Sequence, residues 1–187
     1  MTAGLDLATL DAAPAREFVT AMAPLFEGAP GFLWRLAAAR PFGSTEGLFR
    51  KARRIEHQMP EPLQVELIDA HPRLGAPPAS VSAMSFREQG YEQEEAANLA
   101  SEATRERDRV AAELDRLNRE YEARFGFRYC VFVAGRPRAA LLQGLAAALE
   151  ATRASELERA IEAVIDIARD RAAATHGAAS RSGTVSP

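Results

Sequence analysis

The chain has 187 residues, enough for one compact domain, and a 47% hydrophobic content that can fill a single core. A formal net charge of −3, with arginines scattered among acids, excludes a surface built for nucleic acid, which needs clustered basic excess. The lone cysteine, Cys130, excludes an intrachain disulfide and a thiolate metal cage.

No apolar run approaches the ~20 residues that a spanning helix requires. No N-terminal stretch joins a basic start to a long apolar segment, and the C-terminal residues are not a peroxisomal signal. The expectation is a cytoplasmic protein without a membrane partner.

In chain order, Phe18, Met22, Leu25 and Phe26 recur at helical spacing and stop at Gly28 and Pro30. A short helix runs from Phe32 to Arg40 and stops before Pro41. Ser44 or Thr45 can cap the next, which carries Leu48, Phe49, Ala52 and Ile55 on one face. Pro60 and Pro62 open a fourth, with Leu63, Leu67 and Ile68, and Pro72 ends it. Residues 75–84 form a loop by composition. Ser85-x-x-Glu88 reads as a capping box opening a helix, and a long charged helix follows to about Arg124, with Val110, Leu114, Leu117 and Tyr121 inward. Gly126 is placed to end it. Residues 127–133, aromatic and β-branched, are the one extended-looking stretch, either a single strand or a connector. Leu141, Leu142, Leu145 and Leu149 mark another helix. Ser155-x-x-Glu158 is a second capping box, opening a last helix with Leu157, Ile161, Val164, Ile165 and Ala168 inward. The fold class is all-α: one multi-helix bundle over residues 1–175, with 176–187 a disordered tail.

Among the three histidines, His57 beyond a basic helix end reads as solvated, and His176 falls in the tail. His71 differs. It follows an apolar helix and precedes Pro72, which disfavours α geometry and turns the chain, so its imidazole projects from a rigid corner near a helix C-terminus. Local features support two readings, a cap satisfying free carbonyls or a proton-transfer group. A Ser–His–acid triad of Ser85, His71 and Asp69 is disfavoured, because Asp69 is too near His71 in sequence and no nucleophile elbow surrounds Ser85. The capping box explains Ser85 and Glu88, while a helix N-terminus also suits an anion, and Gln89 adds an amide. Arg171 falls on the apolar stripe of the last helix, whereas Arg169 turns roughly 140° from Val164 at ~100° per residue. It can pair with an acid or present its fork to an anionic substrate. Cys130 reads as a packing residue. Metal-ligand spacings and phosphate loops are absent from the sequence, so any chemistry must come from acid–base groups and positioning.

Taken in order, Leu25-Phe26-Glu27-x-x-Pro30, Ala70-His71-Pro72-Arg73-Leu74-Gly75, Ser85-x-x-Glu88-Gln89, Leu117-Asn118-x-x-Tyr121-x-x-x-Phe125-Gly126-Phe127 and Ile167-x-x-x-Arg171 form a pattern. It resembles the OHCU decarboxylase family (2-oxo-4-hydroxy-4-carboxy-5-ureidoimidazoline decarboxylase) of urate breakdown. The resemblance implies an all-helical, homodimeric, cofactor-free enzyme that converts OHCU to (S)-allantoin and carbon dioxide. It assigns catalysis to His71, Glu88 and Arg171. It places Pro72, Ser85, Gln89 and the extended stretch Tyr129, Cys130, Val131, Phe132 and Val133 against the substrate, with no metal. Arg73 stands where many members carry Asp, and Arg128 where Pro is common. Those departures keep open a related enzyme acting on another ureido compound, beside a catalytically silent helical binding module.

Overall fold

The computed structural model describes residues 6–92 and 101–181, with side chains from 104 to 175 in the second stretch. Among the described residues every regular element is a helix, in agreement with the all-α expectation. Residues 93–100 of the expected long charged helix lie outside the described residues, as do 182–187 of the expected tail; the backbone at 176–181 is helical. No described helix is long and apolar enough to cross a membrane. The chain divides into two compact units, Met1–Ala70 with Ile161–Pro187, and His71–Ala160.

The first unit holds α1 (Leu7–Ala12), α2 (Ala15–Met22), a 3-10 turn (Ala23–Phe26), α3 (Pro30–Ala38), α4 (Thr45–Gln58), α5 (Glu61–Asp69) and most of α9 (Arg153–Arg181). Phe18, Met22, Leu25 and Phe26 are all buried, as their spacing predicts. Pro30 opens α3 two residues earlier than expected, a position where its missing N–H costs nothing. No local side chain caps α3; Glu66 of α5 accepts from the Gly31 N–H at 2.7 Å and serves as a long-range cap. Ser44 is the N-cap of α4, its hydroxyl accepting from Gly47. Val164, Ile165 and Ala168 complete this core from α9.

One polar group in this core is unusual. Glu56 on α4 is 0% exposed. Burial first, and then the nearby Glu162 carboxylate, push its carboxyl up to about 9, outweighing the opposing charge of Arg53.

The second unit holds a 3-10 turn (Pro78–Ser80), α6 (Ala83–Glu88), α7 (Ser101–Phe125), α8 (Arg138–Ala148) and the start of α9. Both capping boxes begin three residues earlier than their sequence suggests. Ser82, not Ser85, caps α6, its Oγ accepting from the Ser85 N–H at 3.1 Å. Thr152, not Ser155, accepts from the Ser155 N–H at 3.2 Å at the start of α9. Leu114, Leu117 and Tyr121 are buried on α7 as expected, and Gly126, at φ +79°, takes the left-handed position that ends the helix. Residues 127–133 form a connector rather than a strand. Leu157, expected inward, is half-buried; Glu156 beside it is 4% exposed.

Candidate active site

The site begins at the corner where α5 stops. Pro72 keeps His71 out of helical geometry, and the chain turns through Gly75 at φ +79°. That left-handed φ is what favours glycine at 75, and a Cβ there would also press on Leu114 Cδ1 of α7 at 2.9 Å. His71 itself is 4% exposed.

The backbone of this corner is held residue by residue within the second unit. Arg128 donates to the His71 carbonyl at 3.0 Å. Gln89 donates its amide to the Arg73 carbonyl at 3.3 Å and accepts from the Gly75 N–H at 2.7 Å. Asn118 donates to the Leu74 carbonyl at 2.9 Å, and the Tyr91 hydroxyl to the Ala76 carbonyl at 2.6 Å. The Arg73 side chain forms a forked ion pair with Glu122 of α7. A buried imidazole on a backbone fixed this way is preoriented, which proton transfer requires.

The other expected residues of this unit take distinct places. Ser85 is buried inside α6, and Glu88, half-buried, ends that helix instead of standing in its first turn. The anion-holding N-terminus expected beside Glu88 is therefore not there. Gln89 follows as the C-cap, with both ends of its amide engaged on the corner. Pro72 is half-buried.

In the connector, Tyr129, Cys130 and Val133 are buried, Val131 and Phe132 half-buried. Its carbonyls are taken up by arginines: Cys130 by Arg159 at 2.8 Å, Phe132 and Val133 by Arg136 at 2.6 and 3.0 Å. Among the described residues no group accepts from the Val131 N–H. Three carbonyls of the stretch are thus engaged while the Val131 N–H stays open, a donor suited to a developing oxyanion. Behind it, the Tyr121 hydroxyl donates to Glu156 at 2.8 Å, and Arg159 donates to the same carboxylate at 2.7 Å. Burial, reinforced by that carboxylate, pushes the Tyr121 phenol well above its usual range.

Arg171 belongs to the first unit. It is 3% exposed, as its place on the apolar stripe predicts. Its guanidinium donates to the Pro24 carbonyl at 3.0 Å, the Leu25 carbonyl at 3.4 Å and Glu27 at 2.8 Å. Of the two uses open to it in sequence, pairing with an acid is the one its contacts display. Arg171→Ala should therefore lower stability by about 2–4 kcal/mol, since Glu27 is left largely buried beside unfilled carbonyls. Urea denaturation measures this, and Glu27→Gln in the same chain should give a loss smaller than the sum. A wild-type urea midpoint with only KM raised would return Arg171 to the substrate.

Sequence reasoning missed Asn118, Tyr91, Glu122, Arg159 and Glu27 as supports of these residues. Their partners lie far away in sequence, and no local pattern signals a side chain that binds a distant carbonyl.

Comparison with known proteins adds the following. The family description OHCU decarboxylase matches residues 11–173. The uric acid degradation bifunctional protein PucL of Bacillus subtilis (strain 168) is 35% identical over 149 residues, 80% of this chain. The chain spans only 28% of that relative's length. The 2-oxo-4-hydroxy-4-carboxy-5-ureidoimidazoline decarboxylase of Haloferax volcanii is 26% identical, over 83% of this chain and 87% of its own. A crystal structure of OHCU decarboxylase in the presence of (S)-allantoin superposes with a TM-score of 0.62 at 24% identity, covering 84% of this chain and 97% of that one. It is a likeness of fold.

Proposed function

Because the chain belongs to the OHCU decarboxylase family, we propose that it converts 2-oxo-4-hydroxy-4-carboxy-5-ureidoimidazoline to (S)-allantoin and carbon dioxide in urate breakdown. The observation that carries this reading is the buried His71 on a corner pinned at His71, Arg73, Leu74, Gly75 and Ala76.

As the bond from C4 to the carboxylate breaks, its electron pair forms a C4–C5 double bond, the imine pair moves onto the imine nitrogen, and that nitrogen takes up a proton. The substrate is its own electron sink, and no cofactor is called for. C5 then takes up one proton on one face while the 4-hydroxyl gives one up and becomes a carbonyl. His71 is the general acid/base for these transfers. Glu88 orients the ureido group or His71, and the Val131 N–H stabilises ring-oxygen charge, while Arg171 stays with Glu27 in its own unit. Pro72, Ser85, Gln89 and residues 129–133 are assigned to contact with the substrate.

Arg73 and Arg128 kept a different ureido substrate open. Both have intramolecular partners, Glu122 and the His71 carbonyl, so each serves the scaffold. Arg128→Ala should then lower kcat about 10-fold, below the ~10²-fold that a 1 Å misplacement can cause. The melting temperature should move little, because one hydrogen bond contributes about 1 kcal/mol. A wild-type kcat in that variant would remove Arg128 from the positioning of His71.

The decisive assay supplies freshly generated OHCU and follows (S)-allantoin by circular dichroism. Chelator-treated protein should turn over at the untreated rate if the enzyme is cofactor-free. The working form is a cytoplasmic homodimer, which light scattering tests directly. Absence of any acceleration would instead leave a catalytically silent helical module.

A further inference from the structure

In the unit formed by Met1–Ala70 and Ile161–Pro187, Glu56 is fully buried, and among the described residues neither carboxyl oxygen has a hydrogen-bond partner. A buried carboxyl is normally satisfied, because its lost hydration is otherwise uncompensated. Its surroundings point to what would satisfy it. His57 Nε2 lies 2.8 Å from Glu162 Oε1. One ligand atom each from Glu56, His57 and Glu162 fall within 4.8 Å of one another. Arg53, Glu56 and His57, at i, i+3 and i+4 of α4, face Glu162 and Asp166, at i and i+4 of α9.

One imidazole nitrogen with two carboxylates is a donor set for a first-row divalent cation, zinc above all, and a poor one for magnesium, which prefers an all-oxygen octahedron. Around tetrahedral zinc, with bonds of about 2.0–2.2 Å, neighbouring ligand atoms stand ~3.4 Å apart. The trio must close from within 4.8 Å to that spacing, and exposed His57 and half-buried Glu162 are the side chains with room to move. Binding releases the Glu56 proton to solvent, and the two carboxylates then cancel a divalent cation. Arg53 does not take the needed oxygen. Its Nε meets Glu162 Oε2 at 2.7 Å and its other arm lies 3.5 Å from Asp166, so Oε1 is the oxygen turned to His57. Arg53 becomes an outer partner that orients Glu162.

We propose that Glu56, His57 and Glu162 form a divalent-cation site, preferring zinc to magnesium, that clips α4 to α9 and leaves one coordination position to solvent. The site stands apart from the proposed decarboxylation, and its test reads binding, not turnover. Neither the Glu56-His57 dipeptide nor a glutamate so far along the chain has a recognisable metal-ligand spacing.

The full chain, stripped with a chelator and dialysed, is titrated with zinc alone, with bound metal counted by elemental analysis. One zinc per chain at micromolar or lower concentration is expected, and a 100-fold excess of magnesium should not displace it. His57→Ala and Glu162→Gln should each weaken binding at least 10-fold. Because His57 is exposed, His57→Ala should keep its helical circular dichroism. Zinc should raise the melting temperature of the wild-type chain and leave that of His57→Ala unchanged. Failure to bind zinc stoichiometrically overturns the proposal. So does undiminished binding by folded His57→Ala, which would assign the metal to other groups such as Cys130.

Discussion

Replacing His71 with alanine should slow (S)-allantoin formation by about 10²–10⁴-fold, the range general acid–base groups typically supply, with the helical circular dichroism intact. Survival of the fold follows from how the corner is held. Arg128, Gln89, Asn118 and Tyr91 grip its backbone carbonyls, and none of these four bonds involves the imidazole. Truncating the ring removes packing at a buried site yet leaves the turn at Pro72 and Gly75 in place. His71→Gln, closer in volume, should lose comparable activity, because it keeps a hydrogen-bonding tip without a proton to exchange near neutrality. A variant with most of its activity, measured on fresh OHCU against the uncatalysed decay, would leave His71 as a helix-end cap. That cap was the competing reading of its local sequence.

The helices were largely legible, because an apolar stripe at 3.6-residue spacing must find a core whatever its partners are. Phe18, Met22, Leu48, Leu114 and Val164 all turned inward for this reason. Helix starts were less legible where two hydroxyls stand three residues apart. In Ser82-x-x-Ser85-x-x-Glu88 and Thr152-x-x-Ser155-x-x-Glu158 the box pattern selects the second hydroxyl, whereas the chain is capped by the first. The shift matters for the site, since it moves Glu88 from the first turn of a helix to its last residue. Long-range support was not legible at all. Leu114, Asn118 and Glu122 share one face of α7, and each meets the corner, through Gly75, Leu74 and Arg73 in turn. The period predicts the face; what it touches depends on a chain segment about forty residues away. Arg171 shows the same limit. Its stripe foretold burial, but its partner Glu27 stands at the other end of the sequence.

Glu156→Ala should be among the most damaging changes to the second unit, lowering stability by about 3–5 kcal/mol, because the carboxylate is buried and serves both the Tyr121 hydroxyl and the part-buried Arg159. For a chain of this size that is a fall in melting temperature of roughly 6–20 °C. Two groups lose their partner at once: the Tyr121 hydroxyl, and the Arg159 guanidinium that otherwise bridges Glu156 and the Cys130 carbonyl. Arg159 also lies over the Tyr129 ring, 4.6 Å from its centroid, so the consequence reaches the connector. With its clamp unpaired, the backbone of 129–133 should shift, and kcat should fall in the fraction that still folds. Glu156→Gln separates the two effects. Its amide oxygen can still accept from Tyr121, so most of the packing survives, but the charge that holds Arg159 is gone. The ordering to expect is wild type, then Gln, then Ala, in both melting temperature and kcat. If Glu156→Ala melted within about 1 °C of wild type, Arg159 and Tyr121 would have to find other partners, and the connector would not depend on this carboxylate.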